Sequence, residues 1–300
     1  MTGEFAAIES IRGRLRHPPT DDEVWIGDDA AVLPATGDGV LLLAVDTVVA
    51  AVHADLALTS LADFGWKAVA ASVSDIAAMG GDPGYVLVSV SGPTGTDLDE
   101  LYRGIRDASE TFGCPVVGGD LTNARELVVS VTVSGTCPGR PVLRSGARPG
   151  HLVWVTGPVG SSAAGLRLLR DGIRDRDPLV AAHARPVPRL AEGSAARLAG
   201  ATAMIDVSDG LAADLGHLAG SSGVDVDLAE VPVAVGASLD EGLHGGEDFE
   251  LVFCAPPEAE VLPAFGGLRQ PIRIGVCVQG AGVLRMNGAE LSPAGWEHRW

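Results

Sequence analysis

One helix-length segment constrains the architecture most. From Leu61 to Met79 apolar residues recur at helical spacing, and Gly80, Gly81 and Pro83 stop the run. Inside it stands a carboxylate, Asp75. Left unpaired in apolar surroundings, that group would carry a desolvation cost of several kcal/mol or would have to stay protonated, so the segment predicts a positive partner for it.

Around this helix the chain alternates strands and helices. Val40 to Val45 and Leu127 to Val133 are aliphatic and β-branched and predict strands, and Leu98 to Phe112 predicts a second helix. Pro138 to Gly150 is rich in Gly, Pro and Arg and offers little to pack, which marks a boundary. Beyond it, His151 to Thr156, the turn Gly157 to Ser162 and Ala163 to Arg170 read as a strand, turn and helix. Ala203 to Val207 predicts a short strand ending in Ser208-Asp209-Gly210, ahead of a helix through Leu218; Phe249 to Cys254 and Ile272 to Val278 complete the strands. No fixed-period repeat and no low-complexity tract interrupts this pattern. A chain of 300 residues exceeds what one core usually serves. The expectation is an α/β protein of the α+β type with two domains, residues 1–138 and 139–300. Hydrophobic residues make up 46% and aromatics only 4%, so Ala, Val and Leu must fill both cores.

Several function classes are disfavoured. The longest aliphatic stretch, Val40 to Val45, is far short of the roughly 20 residues a membrane span needs. Met1 to Phe5 carries an acidic residue where a signal peptide is basic, and no apolar segment follows, so the expected location is cytoplasmic. Cys114, Cys137, Cys254 and Cys277 form no C-x-x-C pair and are expected to be reduced thiols. A formal charge of −18 argues against a nucleic-acid partner, and bound divalent cations would relieve some of that acidity.

The chemistry is written in aspartates beside Gly, Ser or Thr at the ends of predicted elements. They are Asp28 and Asp29, Asp46, Asp75, Asp120 in Gly118-Gly119-Asp120, and Asp206 with Asp209. Singly, such residues are ordinary caps and turns. Jointly, they suit magnesium, which takes carboxylate oxygens and links a protein to phosphates. No G-x-x-x-x-G-K-[ST] string occurs, so any nucleotide is held without a P-loop. Gly157 to Gly160 reads either as a phosphate-binding turn or as a plain strand–helix connection.

The order of motifs resembles the thiamine-monophosphate kinases, in the superfamily of aminoimidazole ribonucleotide synthetase, selenophosphate synthetase and the hydrogenase-maturation protein HypE. It runs from Gly3-Glu4-Phe5 through Gly27 to Ala31 (GDDAA), Asp46-Thr47, His53, Ser74 to Gly80 (SDIAAMG) and Gly118-Gly119-Asp120. It continues with Arg144 to Gly150 (RSGARPG), Ile205 to Leu211 (IDVSDGL), Gly245 to Leu251 (GGEDFEL) and Gly295-Trp296. The resemblance implies a two-domain subunit, dimeric through its N-terminal domains, that moves the γ-phosphoryl group of ATP to thiamine monophosphate. By the same resemblance Asp29, Asp46, Asp75, Asp120, Asp206 and Asp209 are magnesium ligands. Gly119, Asp120, Arg144 and Ser208 contact ATP, and His53, Glu247 and Trp296 contact thiamine monophosphate. Asp75, Asp120, Asp209 and Arg144 then carry the catalytic roles. An acceptor that is already an anionic phosphate needs no general base, only in-line positioning and charge screening. On the residues alone, Arg144 reads equally as a surface arginine, His53 as a strand-end residue, Glu247 with Asp248 as a solvated turn and Trp296 as packing.

The chain departs from the family pattern in places. Ala44-Val45 replaces hydroxyl residues before Asp46, Ser72 stands where Asn is common, no Phe follows His53, and His151 replaces an Asp. A paralogue with a different small acceptor, or a catalytically silent nucleotide-binding dimer, are the rival readings. Selenophosphate synthetase is disfavoured because no Cys precedes Cys114. HypE is disfavoured because no Cys-bearing tail precedes Trp300.

Overall fold

The computed structural model describes residues 22–35, 39–174 and 177–298. Gly3-Glu4-Phe5 and Trp300 lie outside the described residues.

Each half of the chain builds a mixed sheet with helices against it. The first sheet comprises β1 (Ala31–Pro34), β2 (Val40–Val49), β3 (Asp82–Gly92), β4 (Val116–Asn123) and β5 (Val128–Cys137), ordered β1-β2-β5-β3-β4. Only β3 and β4 pair in parallel. Alternation along β3 turns Val86, Val88 and Val90 to one face, where they pack with α1 (Leu61–Ala78) and α2 (Leu98–Phe112). Tyr85 and Leu87 on the opposite face are exposed, as are Val45, Val117 and Leu121.

Helix α1 starts where the Ser60 side chain accepts the Asp63 N–H at 3.1 Å and ends at Gly80, whose φ of 68° a side chain would resist. It is buried nearly all round because it serves two cores. Phe64, Val69, Val73 and Ile76 belong to that of the first half, while Ala77 and Ala78 join Met204, Leu251, Phe253 and Phe265 of the second. Each fully buried Phe or Ile here contributes about 1.5–3 kcal/mol. At the α1–α2 crossing a Cβ on Gly104 would collide with the Ala62 carbonyl, so Gly104→Ala would push the helices apart.

The second sheet runs β12-β11-β8-β10-β6-β9-β7. Its strands are β6 (Leu152–Val155), β7 (Ala203–Asp206), β8 (Val224–Leu228), β9 (Leu251–Ala255), β10 (Ile272–Gln279), β11 (Leu284–Met286) and β12 (Ala289–Leu291). The helices are α3 (Ser161–Arg170), α4 (Pro178–Ala184), α5 (Leu190–Leu198), α6 (Leu211–Ser222), α7 (Leu239–His244) and α8 (Val261–Ala264). No helix among the described residues is long and apolar enough to cross a membrane.

The sequence reading did not foresee β1, β3, β4, β8, β11 or β12. β3 opens with Asp82-Pro83-Gly84, turn chemistry that a strand tolerates only at its start. β4 reads VVGGDLTN, so its glycines look like a turn; Asp120 instead sits mid-strand, paired opposite Ser89. Gly119 is required there because a Cβ would strike the Val88 carbonyl.

Candidate active site

A cleft of about 1580 Å³ lies between the halves, and residues from both line it. Asp29 enters just before β1, Asp46 from the middle of β2, Asp75 from the last turn of α1, and Asp206 from the end of β7. One oxygen each of Asp29, Asp75 and Asp206 falls within 4.8 Å of the others. Few positive groups answer them. Arg144 Nη2 donates to Asp29 Oδ1 at 2.6 Å, its backbone N–H donates to Asp28 Oδ2 at 3.1 Å, and Ser74 Oγ donates to Asp206 at 2.6 Å.

The electrostatic result is a set of carboxyls that resist ionisation. Burial, then repulsion from Asp46, Asp206 and Asp29, pushes Asp75 well above the usual carboxylate range. Burial and Asp29 raise Asp206 to about 8, and burial raises Asp28 to about 6. Burial likewise raises Asp46, which shares a hydrogen bond with Asp75. Burial opposes the charge on Arg144, but Asp29 and Asp28 outweigh it and keep the guanidinium protonated. Asp29 Oδ2 and Asp46 Oδ2 are buried with no hydrogen-bond partner among the described residues. Carboxylate oxygens so disposed fit a hard divalent cation.

Ser208 and Asp209 follow β7 on the same wall. Their turn is held by Asp214, whose carboxylate accepts the N–H groups of Asp209 at 3.1 Å and Gly210 at 3.0 Å. Burial, with Asp209 and Asp206 nearby, drives Asp214 well above its ordinary range.

His53, Glu247 and Trp296 also line the cleft. His53 Nδ1 accepts the Val49 N–H at 3.0 Å, and burial lowers its pKa, which keeps the ring neutral. Its ring lies 5.2 Å from that of His298, which stands edge-on to Trp296 at 5.9 Å. The Trp296 backbone is held by its amide N–H, which donates to the Asp209 carbonyl at 3.0 Å. Glu247 Oε2 is 2.7 Å from Lys67 Nζ.

One expectation meets a different arrangement, and one open alternative closes. Gly119 and Asp120 are exposed on β4 and do not line the cleft of this chain; Asp120 accepts from Thr122 Oγ1 at 3.0 Å. The amides of the Gly157 to Ser162 turn are not open to a phosphate, since Asp248 accepts from Gly160 N–H and, at 2.9 Å, from Ser162 N–H. That settles the turn as a connection capped from within. Among the departures from the family pattern, Ala44 and Val45 line the cleft, and Ser72, whose Oγ donates to the Val131 carbonyl at 2.9 Å, also hydrogen-bonds the Asp46 carboxyl. His151 lies away from it, against Thr202 Oγ1 at 2.8 Å.

Lys67, His183, Asp214 and His298 were missed. Lys67 carried the same signal as Asp75, a charge inside an apolar helix; His183, Asp214 and His298 carried none, because polar residues on mixed stretches are commonplace.

The fold and site define a class. Residues 27–137 match the N-terminal domain, and residues 148–286 the C-terminal domain, of the AIR synthase related proteins. The thiamine-monophosphate kinase of Mycobacterium tuberculosis (strain H37Rv) is 40% identical over 314 aligned positions, covering 98% of this chain and 91% of that protein. That of Bacillus subtilis (strain 168) is 39% identical over 267, covering 83% and 82%. A solved structure described as AaThiL complexed with AMPPCP and TMP superposes with a TM-score of 0.87 at 32% identity, covering 99% of this chain and 97% of that one. The chain belongs to the thiamine-monophosphate kinase family.

Proposed function

We propose that the protein transfers the γ-phosphoryl group of ATP to thiamine monophosphate, giving thiamine diphosphate. The observation that carries this reading is the meeting of Asp29, Asp75 and Asp206 within 4.8 Å, in a cleft that also holds His53, Glu247 and Trp296. Such a cleft suits a polyanion bound through cations at one end and a heterocycle at the other. The names of the relatives, and the ligands of the solved neighbour, support the same substrates.

Asp29, Asp46, Asp75, Asp206 and Asp209 would hold magnesium, which when bound supplies charge screening between the two phosphate-bearing substrates. The protonated Arg144 and the Ser208 hydroxyl bind phosphate oxygens of ATP. Trp296 stacks on a ring of the acceptor and His53 flanks it. No side chain has to remove a proton, because the attacking group is a phosphate oxygen; the residues orient two substrates in line.

Gly119 and Asp120 belong, in this proposal, to the cleft of a second copy. The exposed apolar face of Val45, Tyr85 and Leu87 runs beside the exposed edge strand β4, whose Asp120 pairs opposite Ser89 on that face, and reaches the cleft at Val45, which supports a homodimer closed through the two first sheets. Four buried free thiols and a need for ATP suit the cytoplasm.

An ADP-release assay with thiamine monophosphate, thiamine and aminoimidazole precursors, each with and without Mg²⁺, tests the reading. Release that requires both thiamine monophosphate and Mg²⁺ is expected; the absence of acceptor-dependent turnover would sink it. Sedimentation equilibrium tests the pairing, and a monomer at assay concentration removes it.

A further inference from the structure

Lys67 is a lysine with no exposed surface, borne by α1 among Phe64, Trp66, Ala68 and Val69. An ammonium in such surroundings is strongly destabilised without a counter-charge. Its counter-charge comes from the other half of the molecule, 180 residues away in sequence: Nζ donates to Glu247 Oε2 at 2.7 Å. Both side chains line the cleft.

The backbone of Glu247 is constrained as tightly as its side chain. It adopts a left-handed φ of 66°, uncommon for a non-glycine residue, and its N–H donates to the Ser208 carbonyl at 2.8 Å. A Cβ on the preceding Gly246 would press on that same carbonyl. His183 Nδ1 stands 3.8 Å from Glu247 Oε2 and 3.0 Å from Ser162 Oγ, and burial, then the Lys67 charge, lowers its pKa to about 4. Its ring is therefore neutral, and Lys67 supplies the positive charge beside this carboxylate.

We propose that Lys67 is a positioning residue for the acceptor substrate: it holds Glu247 as a charge-neutralised hydrogen-bond acceptor, with Oε1 directed to an N–H donor on an amino-substituted heterocycle. The inference rests on the reading that Glu247 faces the acceptor. A free carboxylate would favour any cationic ring, whereas a neutralised one selects by the direction of a hydrogen bond. Lys67 thus acts through Glu247 and need not touch either substrate.

Steady-state kinetics of Lys67→Met, Lys67→Gln, Glu247→Gln and the Lys67→Met/Glu247→Gln double variant test this. Lys67→Met should raise KM for thiamine monophosphate about tenfold with kcat and the KM for ATP within about twofold, since loss of substrate positioning appears in the affected KM. Lys67→Gln, which keeps a donor, should fall between, and it carries the test if Lys67→Met loses its fold by circular dichroism. In the double variant the effects should not add. An unchanged acceptor KM, equal rises in both KM values, or additive effects would each overturn the proposal. A thiamine monophosphate analogue with oxygen in place of the ring amine should bind about tenfold more weakly to the unsubstituted enzyme, the loss expected for an unmet hydrogen bond; equal binding overturns the N–H assignment. If the unsubstituted enzyme does not use thiamine monophosphate at all, the kinase reading has failed, and melting temperatures of the unsubstituted protein, Lys67→Met, Glu247→Gln and the double variant then decide on Lys67. Non-additive losses support the pairing and additive losses overturn it.

Discussion

Asp29, Asp75 and Asp206 share the field of one guanidinium, that of Arg144, which contacts Asp29 alone, whereas Glu247, Asp248 and Glu250, close together in one short segment, are each supplied with their own partners. Glu247 has Lys67. Asp248 has the amides that open α3. Glu250 Oε1 receives Arg189 at 2.8 Å and Arg269 at 2.5 Å, while Thr156 donates to Oε2 at 2.5 Å. The outcome is electrostatic: burial and mutual repulsion lift Asp206 to about 8 and Asp75 well above its ordinary range. Burial raises Asp248 only to about 6, because amide hydrogen bonds oppose it. A fold able to satisfy three neighbouring carboxylates has the means to satisfy others. Leaving the first group under-compensated therefore marks it as the place where outside positive charge enters.

The comparison breaks most visibly at Asp75. Asp75→Asn keeps the shape and removes one negative charge; turnover should drop about 10²–10³-fold, the scale of losing one electrostatic contact to a transferring group. The metal-free protein should melt no lower than the unsubstituted one, because a neutral amide replaces a carboxyl that burial and its neighbours already push toward the protonated form. Near-normal turnover, or a clearly lower melting temperature, would erase the distinction between the two groups.

Glu250→Gln should do the reverse. Turnover of the folded enzyme stays close to normal, while stability in urea falls by about 1–3 kcal/mol, less than for a fully buried pair because Arg189 and Arg269 are partly exposed. An unchanged urea midpoint would show that the pairing of this group carries no structural weight.

The smallest effect is a pH dependence. In the folded metal-free protein Asp206 keeps its proton up to about 8, whereas unfolded it loses it near 3.8, so the folded state binds more protons and stability falls as pH rises through this window. The lowered pKa of His183 acts oppositely, but only between about 4 and 6.5. Melting in chelator should therefore decline from about pH 6.5 to pH 8, and added Mg²⁺ should offset the decline. A flat profile in chelator would mean that the cluster is already compensated.

Much of this was legible beforehand. The apolar run with Asp75 marked both the central helix and a buried charge in search of a partner, and the strands β2, β5, β6 and β10 followed from aliphatic composition. β4 was not legible, since Gly118-Gly119-Asp120 looks like a turn until β3 is beside it. Nor was Lys67 weighed, though it stands in the same helix as Asp75.

The amino-acid order by itself determined what is local: helix α1 and its stops, the division into halves, and a series of aspartates in the arrangement of one kinase family. Those properties depend on periodicity and neighbouring residues. Tertiary structure alone decided which charges meet. It brought Asp75 to Asp206 and left Asp120 on an exposed strand, joined Lys67 to Glu247, and spent the α3 amides on Asp248. The reason is that a charge's partner is set by packing between distant segments, and the free energy of a buried carboxylate depends on what surrounds it rather than on what precedes it in the chain.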